Sequence, residues 1–252
     1  MDPVTQTPGS TSGVRDAGVQ ALRVSEVFGP TMQGEGPLTG RVAWFVRLMG
    51  CNLSCSWCDT SYTWDATRHD LHAETKLVSA SAVARSLEDA GLVVLTGGEP
   101  LLQLSYGGPL HDLLLLLEGQ HTAVQVETNG TITPPVWCLD LVDTWVVSPK
   151  LPNAGPHRGH QDPGLAPGWP VLARAQDAHA KVVCLDAGDV ERVAAWAGEV
   201  GWPLSRVWVM PEGTSAERLA VTFPPVATAA VALGLNVSHR LHTLAWGQER
   251  GR

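Results

Sequence analysis

Three of the five cysteines of this chain fall within residues 50–60: Cys51, Cys55 and Cys58, separated by three and then by two positions. A loop of that size can turn three thiolates toward one point, the ligand set of a soft metal centre. The count of three is informative. A structural zinc ion is closed by four protein ligands, and a cluster of four irons normally takes four cysteines. Three thiolates leave one iron of such a cluster open to a small molecule. One alternative is a zinc loop that recruits His69 or His72, although no second closely spaced ligand pair flanks it. Another is a redox thiol pair, which gives no role to Trp57 and Asp59. Cys138 and Cys184 stand in apolar surroundings and read as core thiols.

A second candidate is T-G-G-E-P at 96–100, directly after an apolar run. Its glycines let backbone approach a ligand, and Glu99 offers an acceptor to an ammonium. An ordinary turn between strand and helix is the plain alternative. E-T-N-G at 127–130 and S-P-K at 148–150 also end apolar runs. Upstream, F-G-P-T-M-Q-G-E-G-P at 28–37 carries glycines and prolines that force a loop. Arg47 lies near the end of the run that enters the cysteine loop. There it is either a solvated surface group or an anion binder.

The elements that must position these residues alternate. Strands are expected at 23–28, 41–49, 92–95, 123–126, 144–147, 181–185, 207–210 and 236–241. Helices are expected at 81–89, capped by Ser81 and ended by Gly91, then at 110–117, 189–199 and 214–233. The last is expected to break near Pro224 and Pro225. Residues 151–168 form a loop with His157 and His160. The order is a βα alternation, the pattern of a parallel sheet. About six units fit, short of the eight of a closed barrel. The expected fold is therefore an α/β one, an open, partial (β/α) barrel, with the polar motifs at the C-terminal ends of its strands.

Composition sets the outer limits. The chain is 44% hydrophobic and 17% charged, enough to bury a sizeable core. A formal net charge of −8 argues against a phosphate backbone as the main partner, so no nucleic acid is expected. No apolar run reaches the ~20 residues of a membrane span. The start lacks the basic and apolar regions of a secretory signal, and the cysteines are not a disulfide framework. A cytoplasmic protein is expected. Residues 1–20, rich in Pro, Gly, Ser, Thr and Asp, are expected to be a disordered tail before one domain at 21–252.

The pattern Cys-x3-Cys-x-aromatic-Cys, with G-G-E-P one strand later, resembles the radical S-adenosylmethionine (SAM) enzymes. The motifs at 28–37, 40–60, 127–130 and 148–150, with L-H-T-L-A-W-G at 241–247, are together similar to the 7-carboxy-7-deazaguanine synthase family. The likeness runs from about residue 24 to the end. It implies conversion of 6-carboxy-5,6,7,8-tetrahydropterin to 7-carboxy-7-deazaguanine by radical ring contraction with loss of ammonia, in deazapurine (queuosine) biosynthesis. It also implies a [4Fe-4S] cluster, SAM as a cofactor that is not consumed, Mg²⁺, a homodimer, and an electron donor such as flavodoxin or ferredoxin.

Carried over by position, the resemblance makes Cys51, Cys55 and Cys58 the cluster ligands and Thr60 the Mg²⁺ ligand. It places Trp57, Asp59, Gly98, Glu99, Asn129, Ser148, Pro149 and Lys150 around SAM. Met32, Gln33, Gly34, Glu35, Arg47, Thr96 and His242 would hold the pterin. The chemistry agrees: Glu35 can accept from the N–H edge of a pterin, and Arg47 can fork onto its 6-carboxylate. A cation site of one hydroxyl plus substrate oxygens suits Mg²⁺. Each residue also has a plainer role available. Glu35 can cap a turn, Thr60 can satisfy loop backbone, and His242 can serve as a bonded core residue. The charged segment 247–252 is expected to be mobile. Two rivals remain: an activase of glycyl-radical enzymes, which shares the cysteine loop and G-G-E-P but docks a protein, and a non-catalytic zinc module.

Overall fold

The structure is a computed structural model that describes residues 20–157 and 164–252. The expected tail at 1–20, apart from Gln20, and His160 lie outside the described residues. The chain begins with β1 (Leu22–Met32), which pairs antiparallel with β2 (Val42–Leu48) and with β3 (Lys76–Val78). Helices α1 (Leu71–Glu74) and α2 (Ala80–Arg85) flank β3. Then follow β4 (Leu92–Gly97), α3 (Pro109–Gly119), β5 (Ala123–Thr128), β6 (Thr144–Val147), α4 (Trp169–Ala175), β7 (Ala178–Cys184) and α5 (Ala187–Val200). The chain ends with β8 (Val207–Pro211), α6 (Ala216–Ala232), β9 (Asn236–Val237) and α7 (Leu241–Trp246).

The sheet order is β3-β1-β2-β4-β5-β6-β7-β8-β9, and from β2 to β9 every pairing is parallel. The end strands β3 and β9 do not pair with each other, so the barrel is open. This is the expected partial (β/α) barrel. Alternation along each strand sorts its side chains between two environments. On β4, Val93 and Leu95 pack outward with the Leu110, Leu113, Leu114 and Leu117 face of α3. Leu92 and Val94 face the other way and meet Ala43 and Phe45. The same two-residue step continues upward from Phe45 to Arg47 and from Val94 to Thr96. An apolar floor thus passes into a polar cavity toward the strand ends.

Several local expectations are corrected. β1 runs through Met32, because antiparallel pairing to β2 absorbs residues 28–32 with an irregularity between Phe28 and Thr31. The helix after β3 is capped by Ser79, whose hydroxyl accepts from Ala82 N–H, in place of Ser81. α6 does not break at Pro224 and Pro225. Both prolines are exposed, so the carbonyls that lose their partners lie on the wet face, while Leu219, Thr222, Val226 and Ala230 keep the buried stripe. The final strand is only Asn236–Val237, and α7, unforeseen, follows it.

Candidate active site

The cysteine loop leaves β2 and rests on the opposite side of the barrel mouth. Ser56 N–H donates to Ala154 O at 2.8 Å, Ser54 N–H to His157 Nδ1 at 3.1 Å, and Trp57 Nε1–H to Asn153 O at 3.1 Å. The loop packs on Leu53 and Ala154. Cys51, Cys55 and Cys58 all border one cavity. Three N–H donors among the described residues address their sulfurs: Trp64 Nε1–H reaches Cys58 Sγ at 3.3 Å, and Leu53 N–H and Asn129 Nδ2–H reach Cys51 Sγ at 3.4 and 3.9 Å. Burial pushes the Cys51 thiol up to about 12 and also raises that of Cys55. Without a metal both are neutral at pH 7, and metal binding would release their protons. Three soft donors with donors aimed at their sulfurs fit an iron–sulfur group. The zinc alternative fits less well. His69 Nε2 is bonded to Ser61 Oγ at 3.0 Å, and His72 is exposed on α1. Among the described residues, no three of His, Cys, Asp and Glu are placed to hold a single metal ion.

Behind the loop, Gly97 at the end of β4 and Gly98 after it serve backbone packing. A Cβ on Gly98 would lie 1.8 Å from Gly50 O, and one on Gly97 would lie 2.3 Å from Leu48 O. Gly97 also has a φ of +121°, where side chains are strained. Both glycines still border the cavity. Glu99 does not: it has no exposed surface. Its carboxylate accepts from Asn129 N–H (2.7 Å), Thr128 Oγ1–H (2.8 Å) and Leu101 N–H (3.0 Å). It therefore ties the ends of β4 and β5 together from beneath. Pro149 borders a neighbouring depression, whereas Ser148 and Lys150 border the main cavity. Lys150 Nζ donates to Ser148 Oγ at 2.8 Å and lies 5.5 Å from the Trp57 ring centre.

Across the barrel stands an ionic array centred on buried Glu35, Lys181 and Arg240. Lys181 on β7 donates to Glu35 Oε2 at 2.6 Å and to Glu127 Oε1 at 2.9 Å. Arg240 Nε–H donates to Glu35 Oε1 at 2.8 Å, and the same guanidinium reaches Gly213 O and Asp59. Gln33 Nε2 and Thr96 Oγ1 also donate to Glu127, at 3.3 and 3.1 Å. Burial alone would raise the Glu35 carboxyl, but Lys181, Arg240 and His242 hold it well below the usual carboxylate range. Asp59 is likewise lowered against its burial, chiefly by Arg240. Lys181 is raised by Glu127 and Glu35 although burial opposes it. Gly34 is absent from the cavity lining. A Cβ there would lie 2.1 Å from His242 Nδ1, so this glycine lets α7 seat His242 against the Gln33–Glu35 turn.

Met32, Gln33, Glu35, Arg47, Thr96 and His242 border the same cavity, with Trp57, Asp59, Thr60 and Asn129. Arg47 is steered by Glu26, which takes its Nε–H at 2.7 Å, while Tyr62 OH donates to the same oxygen at 2.8 Å. Its other guanidinium nitrogens have no hydrogen bond among the described residues. Among the described residues, Thr60 Oγ1 has one hydrogen-bonding partner, Cys58 Sγ at 3.6 Å. The C-terminal segment is placed: Arg250 pairs with Glu74 at 3.0 Å over the Tyr62 ring, and Arg252 borders the cavity. The sequence reading missed Lys181, Arg240, Glu127 and Glu26. A lone lysine inside the apolar run of β7, and the glutamate opening E-T-N-G, were the available signals.

Residues 32–129 match a family model described as a 4Fe-4S single cluster domain. The chain is 39% identical over 231 residues to the 7-carboxy-7-deazaguanine synthase of Pyrobaculum aerophilum, covering 92% of this chain and 97% of that one. It is 40% identical over 233 residues to that of Hyperthermus butylicus, covering 88% and 92%. In shape it is similar to the crystal structure of QueE from Escherichia coli, with a TM-score of 0.60 over 86% of this chain and 93% of that chain. The identity there is 24%, so that likeness speaks to the fold.

Proposed function

This chain belongs to the 7-carboxy-7-deazaguanine synthase family, and from that premise we infer how its residues serve the reaction. It is a radical SAM lyase that converts 6-carboxy-5,6,7,8-tetrahydropterin to 7-carboxy-7-deazaguanine with loss of ammonia. The observation that carries the assignment of roles is one cavity bordered by three thiols on one side and by the Glu35–Lys181–Glu127 array on the other.

Cys51, Cys55 and Cys58 would hold the cluster. When bound, cluster and SAM supply the one-electron chemistry that removes a hydrogen atom from the substrate. The chain's own residues bind, orient and shield. Trp57, Asp59, Gly98, Asn129, Ser148 and Lys150 form the SAM side, with Glu99 and Pro149 supporting it from outside the cavity. On the pterin side, Glu35 accepts from the amino and N–H edge of the ring, among Met32, Gln33, Thr96 and His242, and Gly34 seats His242. Arg47, on β2, lies four strand positions from Lys181 on β7. It receives the 6-carboxylate with the guanidinium nitrogens that Glu26 leaves unbonded. The two anchors hold the substrate at a set angle, which is the protein's main contribution to such a reaction. Thr60 offers an oxygen to Mg²⁺, a hard cation that suits one hydroxyl with substrate oxygens and water. On family resemblance, the enzyme works as a cytoplasmic homodimer fed by an electron donor such as flavodoxin or ferredoxin. Among the described residues, no helix is long and apolar enough to cross a membrane.

The test is anaerobic incubation of reduced, cluster-loaded protein with SAM and 6-carboxytetrahydropterin. The deazapurine product, identified by mass, is the expected result. Cluster-loaded protein that leaves the pterin unchanged would overturn the reading.

A further inference from the structure

We propose that Lys181 reads the 4-oxo oxygen of the pterin, beside Glu35, so that the cavity selects 4-oxo over 4-amino pteridines. This deepens the reading of the cavity as a pterin site and rests on it.

The residue is conspicuous for its surroundings. Lys181 is 4% exposed, yet it borders the cavity. An ammonium has three N–H donors and no acceptor. Two of them are taken, by Glu35 Oε2 at 2.6 Å and Glu127 Oε1 at 2.9 Å. The third has no partner among the described residues. A buried donor without an acceptor is costly, so a ligand oxygen there replaces a missing bond.

The neighbours define what that ligand presents. Glu35 receives one donor on each oxygen, from Lys181 and from Arg240. A carboxylate has about four lone-pair sites, so it can still accept. The array therefore offers an acceptor, Glu35, next to a donor, Lys181. Along its pyrimidine edge a 2-amino-4-oxo pteridine presents the 2-amino donor, the N3–H donor and the O4 acceptor. That order is complementary. In a 2,4-diamino pteridine the O4 acceptor becomes an N–H₂ donor, which would face an ammonium that is itself only a donor, and N3 loses the hydrogen it offers to Glu35. Sites that hydrogen-bond a polar group discriminate strongly against the analogue that cannot return the bond.

A purely structural role is also available to Lys181, because it pairs with a buried carboxylate, Glu35, and a half-buried one, Glu127. The two roles separate cleanly. Loss of a structural strut would weaken all pteridines alike, whereas loss of an O4 reader would change the preference between them.

The experiment measures equilibrium binding of two redox-stable ligands, 6-carboxypterin and 2,4-diaminopteridine-6-carboxylate, to cluster-loaded protein with SAM. Trp57 and Trp64 border the cavity and report occupancy by fluorescence. Wild type is expected to favour the 4-oxo ligand by about 100-fold. In Lys181→Met the 4-oxo ligand should bind about 10- to 100-fold more weakly, with the diamino ligand unchanged or tighter, because the freed carboxylates accept its amino group. Lys181→Gln is the second variant should the first fail to fold. Its amide can flip to accept, so the preference for the 4-oxo ligand should fall by about tenfold or more, leaving only what Glu35 reads at N3–H. Wild type that binds the diamino ligand as well as the 4-oxo one overturns the proposal. So does an unchanged preference in either variant. Wild type that binds neither ligand would instead refute the pterin reading beneath it.

Discussion

On the β7 side of the cavity, Glu35, Lys181 and Arg240 are buried and already paired, and Glu127 joins them half-buried. On the loop side, Cys51 and Cys55 are thiols that burial keeps neutral, with little but a few N–H groups aimed at sulfur. The first region gains its geometry from the fold alone. Charges held in a low-dielectric site fix one another's position, and removing any one leaves another uncompensated. The second is built to be completed by a ligand, because thiols become good donors only when a metal displaces their protons. Arg240 joins the two, since one guanidinium contacts Glu35 on one side and Asp59, directly after Cys58, on the other. One wall is therefore preformed to orient substrate, and the other is tuned by what it binds.

The largest expected effect breaks the ligand-completed wall alone. Replacing Cys51, Cys55 or Cys58 by Ala should abolish turnover and greatly lower bound iron, while pterin binding changes by less than about threefold, because the charged array is untouched. Cys138→Ala and Cys184→Ala should retain iron. Iron content with ligand titration checks this, and full activity in Cys55→Ala would sink the cluster assignment.

Breaking the preformed wall should show in stability. Arg240→Met leaves Glu35 and Asp59 short of a partner and is expected to cost about 3–5 kcal/mol at pH 7. The sign with pH follows from Glu35, whose folded carboxyl is held below its unfolded value by Lys181, Arg240 and His242 against burial. Its contribution is present above the unfolded value, about 4.3, and is lost as pH falls through the lower folded one. The gap between wild type and Arg240→Met should therefore narrow on acidification, as read from urea midpoints between pH 7 and pH 3. A gap independent of pH would mean that packing, not charge, was lost.

Substrate anchoring comes next in size. Arg47→Ala and Glu35→Gln should each weaken substrate by about one to two decades, the worth of a charge-assisted hydrogen bond, with iron content unchanged. Arg47→Ala should also lose the preference for the 6-carboxylate substrate over its decarboxylated analogue. An unchanged preference would remove Arg47 as the carboxylate anchor.

The smallest effect concerns Thr60, where the two walls meet. Mg²⁺ should raise the turnover of wild type and of Thr60→Ser, which keeps the oxygen, but not of Thr60→Val. The rate against Mg²⁺ concentration decides it. Equal stimulation in Thr60→Val would show that the ion does not depend on this hydroxyl.

Sequence by itself determined the cysteine loop, the alternation of strands and helices from β4 onward, and the polar strand ends. These are local: spacing of thiols, apolar runs of strand length, and glycines or prolines that end them. It also placed Gln33, Glu35, Arg47 and Thr60 in one site by motif. Tertiary structure decided the rest. Glu99 reads as a ligand acceptor by its motif, but folding turns its carboxylate beneath β4 and β5, onto Asn129, Thr128 and Leu101. Pro224 and Pro225 read as a helix break until the fold sets both on the exposed face of α6, leaving its buried stripe intact. Above all, Lys181 and Arg240 carry no local pattern. They lie 146 and 205 positions from Glu35 in the chain. Only the curvature of the open sheet, which brings β7 and the β9–α7 connection to the turn after β1, makes one ionic array of them.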